Sequence, residues 1–326
     1  MPFVVDSAAY AAIRFALYGA LIGLLGAALF VLLPLRRVRG LGLGSDLFAE
    51  DAAAGARRIA LAAAAVLLAA LPGRLIAQSF ALFGTATDIL GAITTTGWGR
   101  AWMLQVAGAA VALTAVLRVR GVAALWWRIA LGGGLAVALG FSLSGHAAAA
   151  EHAPNLAVAL DTAHIAAGGS WVGTLAVLAF AGIPAALRSP QDARASTAAA
   201  LVNAFSPLAL LSAGVLAVTG TFAAWEQLGA FAPLFATAYG RTLLVKLALI
   251  AVMAAIGAVN WRLLRPRLGS EAACQGIRRS AIRELMVAVL IIAVTALLVA
   301  TPTHEEEPTS AAPAPGTSTL HHGGPA

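Results

Sequence analysis

Charge is what this sequence has least of. Only 11% of its 326 residues are Asp, Glu, Lys or Arg, and 60% are hydrophobic. A soluble globular domain carries about a quarter charged residues, so that class is excluded. There is one cysteine, Cys274, which excludes an internal disulfide and any thiolate-pair metal site. Four methionines are too few for a thioether relay of a soft metal ion. The alternating apolar and polar pattern of an outer-membrane strand is missing as well. No phosphate-cradling glycine loop and no phosphorylated-Asp motif is visible, so an ATP-driven pump is not expected and neither is an enzyme.

What remains is a chain of long apolar runs, read as an all-α polytopic membrane protein. Eight spans are expected, at roughly Tyr10–Leu33, Arg57–Gln78, Arg100–Leu117, Leu125–Leu143, Asn155–Ile183, Ala204–Ala224, Arg241–Trp261 and Ile282–Ala300. The first lacks a basic leader and its arginines follow it, so it is not read as a cleaved signal. Richness in Ala and Gly implies close helix crossings, with Gly19/Gly23 and Gly169/Gly173 as small-residue pairs.

The net charge of +7 does not point to nucleic acid here, because its placement explains it. Of the 21 basic residues, 16 fall in the loops after spans one, three, five and seven. The positive-inside rule makes that side cytoplasmic and puts both termini outside. Arg14, Arg74, Arg100, Arg241 and Lys246 lie near the outer ends of spans, and all six histidines fall on the outer side.

The densest polar chemistry lies between Ser144 and Gly173. His146, Glu151 and His152 occupy a short turn; Asp161 and His164 follow on the helix after Pro154, with Trp171 two turns on. An i, i+3 pair shares one helix face. Helix rise puts Asp161 about 9 Å and His164 about 13 Å below the surface. Ionisable groups at that depth are costly and mark function by default. Imidazole with carboxylate suits a transition metal.

Two helix openings also match. Trp98-Gly99-Arg100 leads to Gln105, and Tyr239-Gly240-Arg241 leads to Lys246. This suggests a parallel repeat of four plus four spans. The membrane domain is set at residues 1–302; the tail, 303–326, is rich in Pro, Thr, Ser and Ala, carries His304, His321 and His322, and is expected to be disordered.

Ser144-Gly145-His146, the Asp161/His164 helix running to Ser170-Trp171, Phe205-Ser206, Tyr239-Gly240-Arg241 with Lys246, and Glu284 with Pro302 together resemble the copper resistance D family (CopD, PcoD) of bacterial inner-membrane proteins. The resemblance implies eight membrane helices, a role in copper uptake or resistance, and a soluble periplasmic copper carrier of the CopC type as partner.

On that reading His146, His164, His152, Glu151 and Asp161 are the candidate ligands for Cu(I) or Cu(II). Arg100, Arg241, Lys246, Trp171, Met103 and Glu284 are candidates for a polar pathway or a supporting shell. Duller readings compete. Asp161 and His164 could simply fix helix packing, Arg100 and Arg241 could snorkel to headgroups, and Glu284 could pair with Arg283. Two other classes stay open: a b-type cytochrome or quinone-linked redox protein, and a metal-free protein that binds a partner or senses. Lipid surrounds the spans, and a homo-oligomer is compatible with them.

Overall fold

The computed structural model describes residues 8–83, 89–150, 153–265 and 269–298. The tail from 303 to 326, with its three histidines, lies outside the described residues, as do Asp88, Glu151 and His152. Eight helices are long and apolar enough to cross a membrane: Ala8–Gly40, Asp46–Phe80, Gly97–Arg118, Ala124–Leu143, Pro154–Leu187, Gln191–Leu228, Ala238–Leu264 and Ala272–Leu298. We call them spans one to eight. No strand occurs among the described residues.

Several helices outrun the apolar stretches that signal them. Span two starts at Asp46, eleven residues before the expected Arg57, because Ser45 caps it: its hydroxyl accepts from the Phe48 amide at 3.2 Å. Span six starts at Gln191 after Pro190, and Gly229, with φ 61°, ends it in the left-handed conformation that suits glycine. These extensions are rich in alanine, the best helix former, and Asp46 and Asp192 sit in first turns where the helix dipole favours a negative charge, so the helix runs on where the hydrocarbon stops.

Span one is central. It packs against spans two, four, five and eight, and Leu21, Leu24, Leu25 and Phe30 are fully buried. Its crossing with span five is the tightest in the bundle. A Cβ added to Gly26 would sit within the backbone of Gly173, and one added to Gly169 would lie 2.7 Å from Leu25 Cβ. Gly169/Gly173 therefore works as expected for a small-residue pair, but its partner is Gly26. Gly19 has nothing within 4 Å of such a Cβ.

Span five is not a uniform α-helix. Gly169–Gly173 and Leu178–Gly182 form wide π-turns. Such turns leave backbone carbonyls without their usual partner. Arg278 of span eight answers one of them, donating from Nε to the Ala179 carbonyl at 2.9 Å. Span seven is the opposite case. It has the smallest buried share of the eight and ends in a π-turn, Asn260–Leu264.

The two matched helix openings have the same local geometry. Thr96 and Thr237 each cap their helix, accepting from the amides of Gly99 and Gly240 at 2.9 Å. Side chains at those glycines would collide with the carbonyls of Ala92 and Ile93 in one case, and Pro233 and Leu234 in the other. A short helix, Ile89–Thr95 or Pro233–Ala236, presses on each opening and excludes any residue larger than glycine.

Candidate functional site

His164 sits half-buried on span five. Its Nδ1 lies 2.9 Å from the hydroxyl of Thr219 on span six. That hydroxyl already donates its one proton to the Val215 carbonyl, at 2.7 Å. With the hydroxyl proton on that bond, the Thr219 oxygen accepts from an Nδ1–H, the tautomer of the ring setting the two roles. On this hydrogen-bond network the neutral ring is assigned the Nδ1–H tautomer, which leaves the Nε2 lone pair free. An imidazole with one nitrogen anchored and the other bare is the usual state of a metal-ligating histidine.

Asp161, one turn earlier, is half-buried, with Ser142 at the end of span four among its polar neighbours. It also lies within electrostatic reach of Lys246 on span seven and of His146. Lys246 acts on His164 too. Ser142, Asp161, His164, Thr219 and Lys246 thus form one polar cluster spread over spans four to seven.

His146 opens a short 3₁₀ turn, His146–Ala149, and is exposed. What holds this turn is a buried network. Arg74 of span two, 8% exposed, donates to Gln105 Oε1 at 2.6 Å and to Ser144 Oγ at 2.9 Å. Gln105 Nε2 donates to the Gly140 carbonyl at 2.8 Å. The Arg74 guanidinium also lies 5.0 Å from the centre of the Phe141 ring and 5.3 Å from that of Trp98. Ser144 is two residues before His146, so Arg74 and Gln105 set where the histidine leaves the membrane.

The remaining candidates lie elsewhere. Arg100, Arg241 and Met103 are exposed, which fits side chains directed at lipid or headgroups. Trp171 packs against the hydrophobic core within the first π-turn of span five. Glu284 is buried, 5% exposed, and accepts a short hydrogen bond from Asn260 of span seven, while its neighbour Arg283 is exposed. The expected local pair with Arg283 is replaced by a pair across helices. Among the described residues no three His, Cys, Asp or Glu side chains stand close enough together to hold an ion.

Thr219, Arg74, Ser142 and Asn260 were not singled out by sequence reasoning. Arg74 and Thr219 carried a faint signal, since a polar side chain inside an apolar span needs an internal partner. Which partner depends on helix rotation, and the apolar pattern of an all-round hydrophobic span does not report that.

A multi-span membrane protein with a partly buried imidazole, carboxylate and ammonium set near one face is the class defined by this architecture. The chain belongs to the copper resistance protein D family: the model of the copper resistance protein D-like N-terminal domain matches residues 5–156, and that of copper resistance protein D matches residues 199–298. It is similar to the copper transport protein CutJ of Bacillus subtilis (strain 168), with 30% identity over 173 residues. That match takes in 53% of this chain and 30% of the relative's length. No solved structure matches the chain.

Proposed function

We propose that the protein carries copper across the bacterial inner membrane, receiving it at the outer, periplasmic face from a soluble carrier of the CopC type. His164 is the inner ligand of the entry site. The observation that carries this reading is the 2.9 Å contact with Thr219, which with the ring in its Nδ1–H tautomer leaves Nε2 of His164 unprotonated and free. Asp161 supplies the negative charge, and Lys246 balances it while no copper is bound. His146, with Glu151 and His152, forms the mouth where the carrier hands copper over. Either oxidation state suits imidazole and carboxylate donors.

The distribution of arginines supports this orientation, with the His146 turn and both termini outside. The shared caps at Thr96 and Thr237 support a parallel duplication in which Gln105 of the first half stands where Lys246 stands in the second. The first half then uses its polar position to anchor Arg74, and the second keeps its position beside the copper ligands.

Copper content of cells expressing the protein tests the reading. Wild type raises it over an empty vector; His164→Ala and His146→Ala do not, at equal membrane levels. Accumulation unchanged in both variants contradicts the proposal.

A further inference from the structure

Glu284 lies midway along span eight, directly after Arg283, the last arginine of that helix. A carboxylate stripped of water without a cation beside it costs several kcal/mol. Glu284 is buried, and among the described residues its recorded hydrogen-bond partner is the neutral amide of Asn260. The charged groups around it are engaged elsewhere or exposed. On span seven Arg265 donates to Asn203 at 2.7 Å, and Arg262 is exposed. On span eight itself Arg278 is bonded to the Ala179 carbonyl, and Arg279 lies one turn before Arg283. At the ends of spans one and five Arg39 pairs with Asp46 and Arg188 with Asp51.

Asn260 has an unusual position. It opens the π-turn of span seven, and its Oδ1 is buried without a hydrogen-bond partner among the described residues. An amide offers a donor and an acceptor on one group. With Glu284 ionised, Nδ2 donates to it, as observed. With Glu284 protonated, the amide turned over would offer Oδ1 to the acid proton. The same two side chains therefore satisfy each other in both charge states, which is what a site that gains and loses a proton requires.

We propose that Glu284 and Asn260 form a proton-exchange site, and that copper passage is coupled to one proton moving the opposite way. The step is balanced: Glu284 releases H⁺ to water at one face and takes one up from the other, so a monovalent copper ion crosses with no net charge moved. This inference rests on the copper-transport reading.

Span seven is the link between the two sites. It bears Lys246 beside Asp161 and His164, and Asn260 beside Glu284, 14 residues further on. That separation is about 21 Å of one helix. Copper entering beside Lys246 repels its ammonium, and span seven, the least enclosed of the eight, carries the displacement to Asn260.

The test uses the full chain in proteoliposomes with a pH dye sealed inside, pulsed with external copper. Wild type should take up copper and alkalinise the lumen in step with it, one proton leaving for each copper that enters; acidification would contradict the exchange. Glu284→Gln keeps the shape and the amide contact; it should bind copper at the wild-type stoichiometry, leave lumen pH flat and take up copper at least tenfold more slowly. Asn260→Ala, a second variant against a folding failure, should weaken both signals together. A lumen pH change of wild-type size in Glu284→Gln overturns the proton site. Loss of copper binding in His164→Ala is scored separately: if His164→Ala binds copper normally, the entry-site reading fails, whatever Glu284→Gln does.

Discussion

His164 and Thr219 meet across spans five and six at 2.9 Å, and the direction of their hydrogen bond decides which imidazole nitrogen can meet a metal. Removing the acceptor leaves the ring free to turn and to change tautomer. Thr219→Val should lower copper affinity by about 10–100-fold, the usual cost of losing a group that orients a ligand. Thr219→Ser should stay close to wild type. Equilibrium dialysis against a copper chelator of known affinity reads the difference.

Arg74 and Gln105 are the polar keystone of the first half. Gln105→Leu strands a buried guanidinium that has lost its shortest contact, at a cost of about 2–3 kcal/mol in stability. The double variant Arg74→Met/Gln105→Leu should lose less than the sum of the two single changes, because neither partner is then left alone. Thermal unfolding in detergent gives all three values. Additive losses would mean the two side chains act independently.

Glycine at 173 is a matter of space. Gly173→Ala drives a methyl into the carbonyl of Ile22 on span one, and over-packing of this kind costs about 1–3 kcal/mol or more. Gly19→Ala, on the same helix as Ile22 but facing open space, should cost nothing measurable. The same unfolding assay separates them.

Orientation has its own check. In a Cys274→Ala background, Ala148→Cys in the His146 turn should react with an impermeant maleimide added to right-side-out vesicles. Leu41→Cys, in the loop after span one, should react only once the vesicles are opened. The reverse pattern would place the His146 turn in the cytoplasm.

Eight spans were legible because hydrocarbon leaves the backbone few options, and long apolar runs of this kind become helices. Their ends were less so: nothing in hydropathy announces that Asp46 or Gln191 is already helical, since capping and propensity act there while lipid does not. The special residues of span five, Asp161 and His164, stood out by being ionisable in an apolar setting. Of their neighbours Lys246 stood out in the same way, but Ser142 and Thr219 did not, because they join from other helices at rotations that only packing determines. Glu284 shows the same limit. Its neighbour in sequence, Arg283, turns outward, and its neighbour in space, Asn260, is 24 residues away.

The central claim is that copper binds at the free nitrogen of His164. Metal analysis of the purified protein after copper loading and desalting, with His164→Ala beside it, tests this most directly. Copper retained by wild type and lost from a folded His164→Ala is the predicted result; equal copper in both would contradict it.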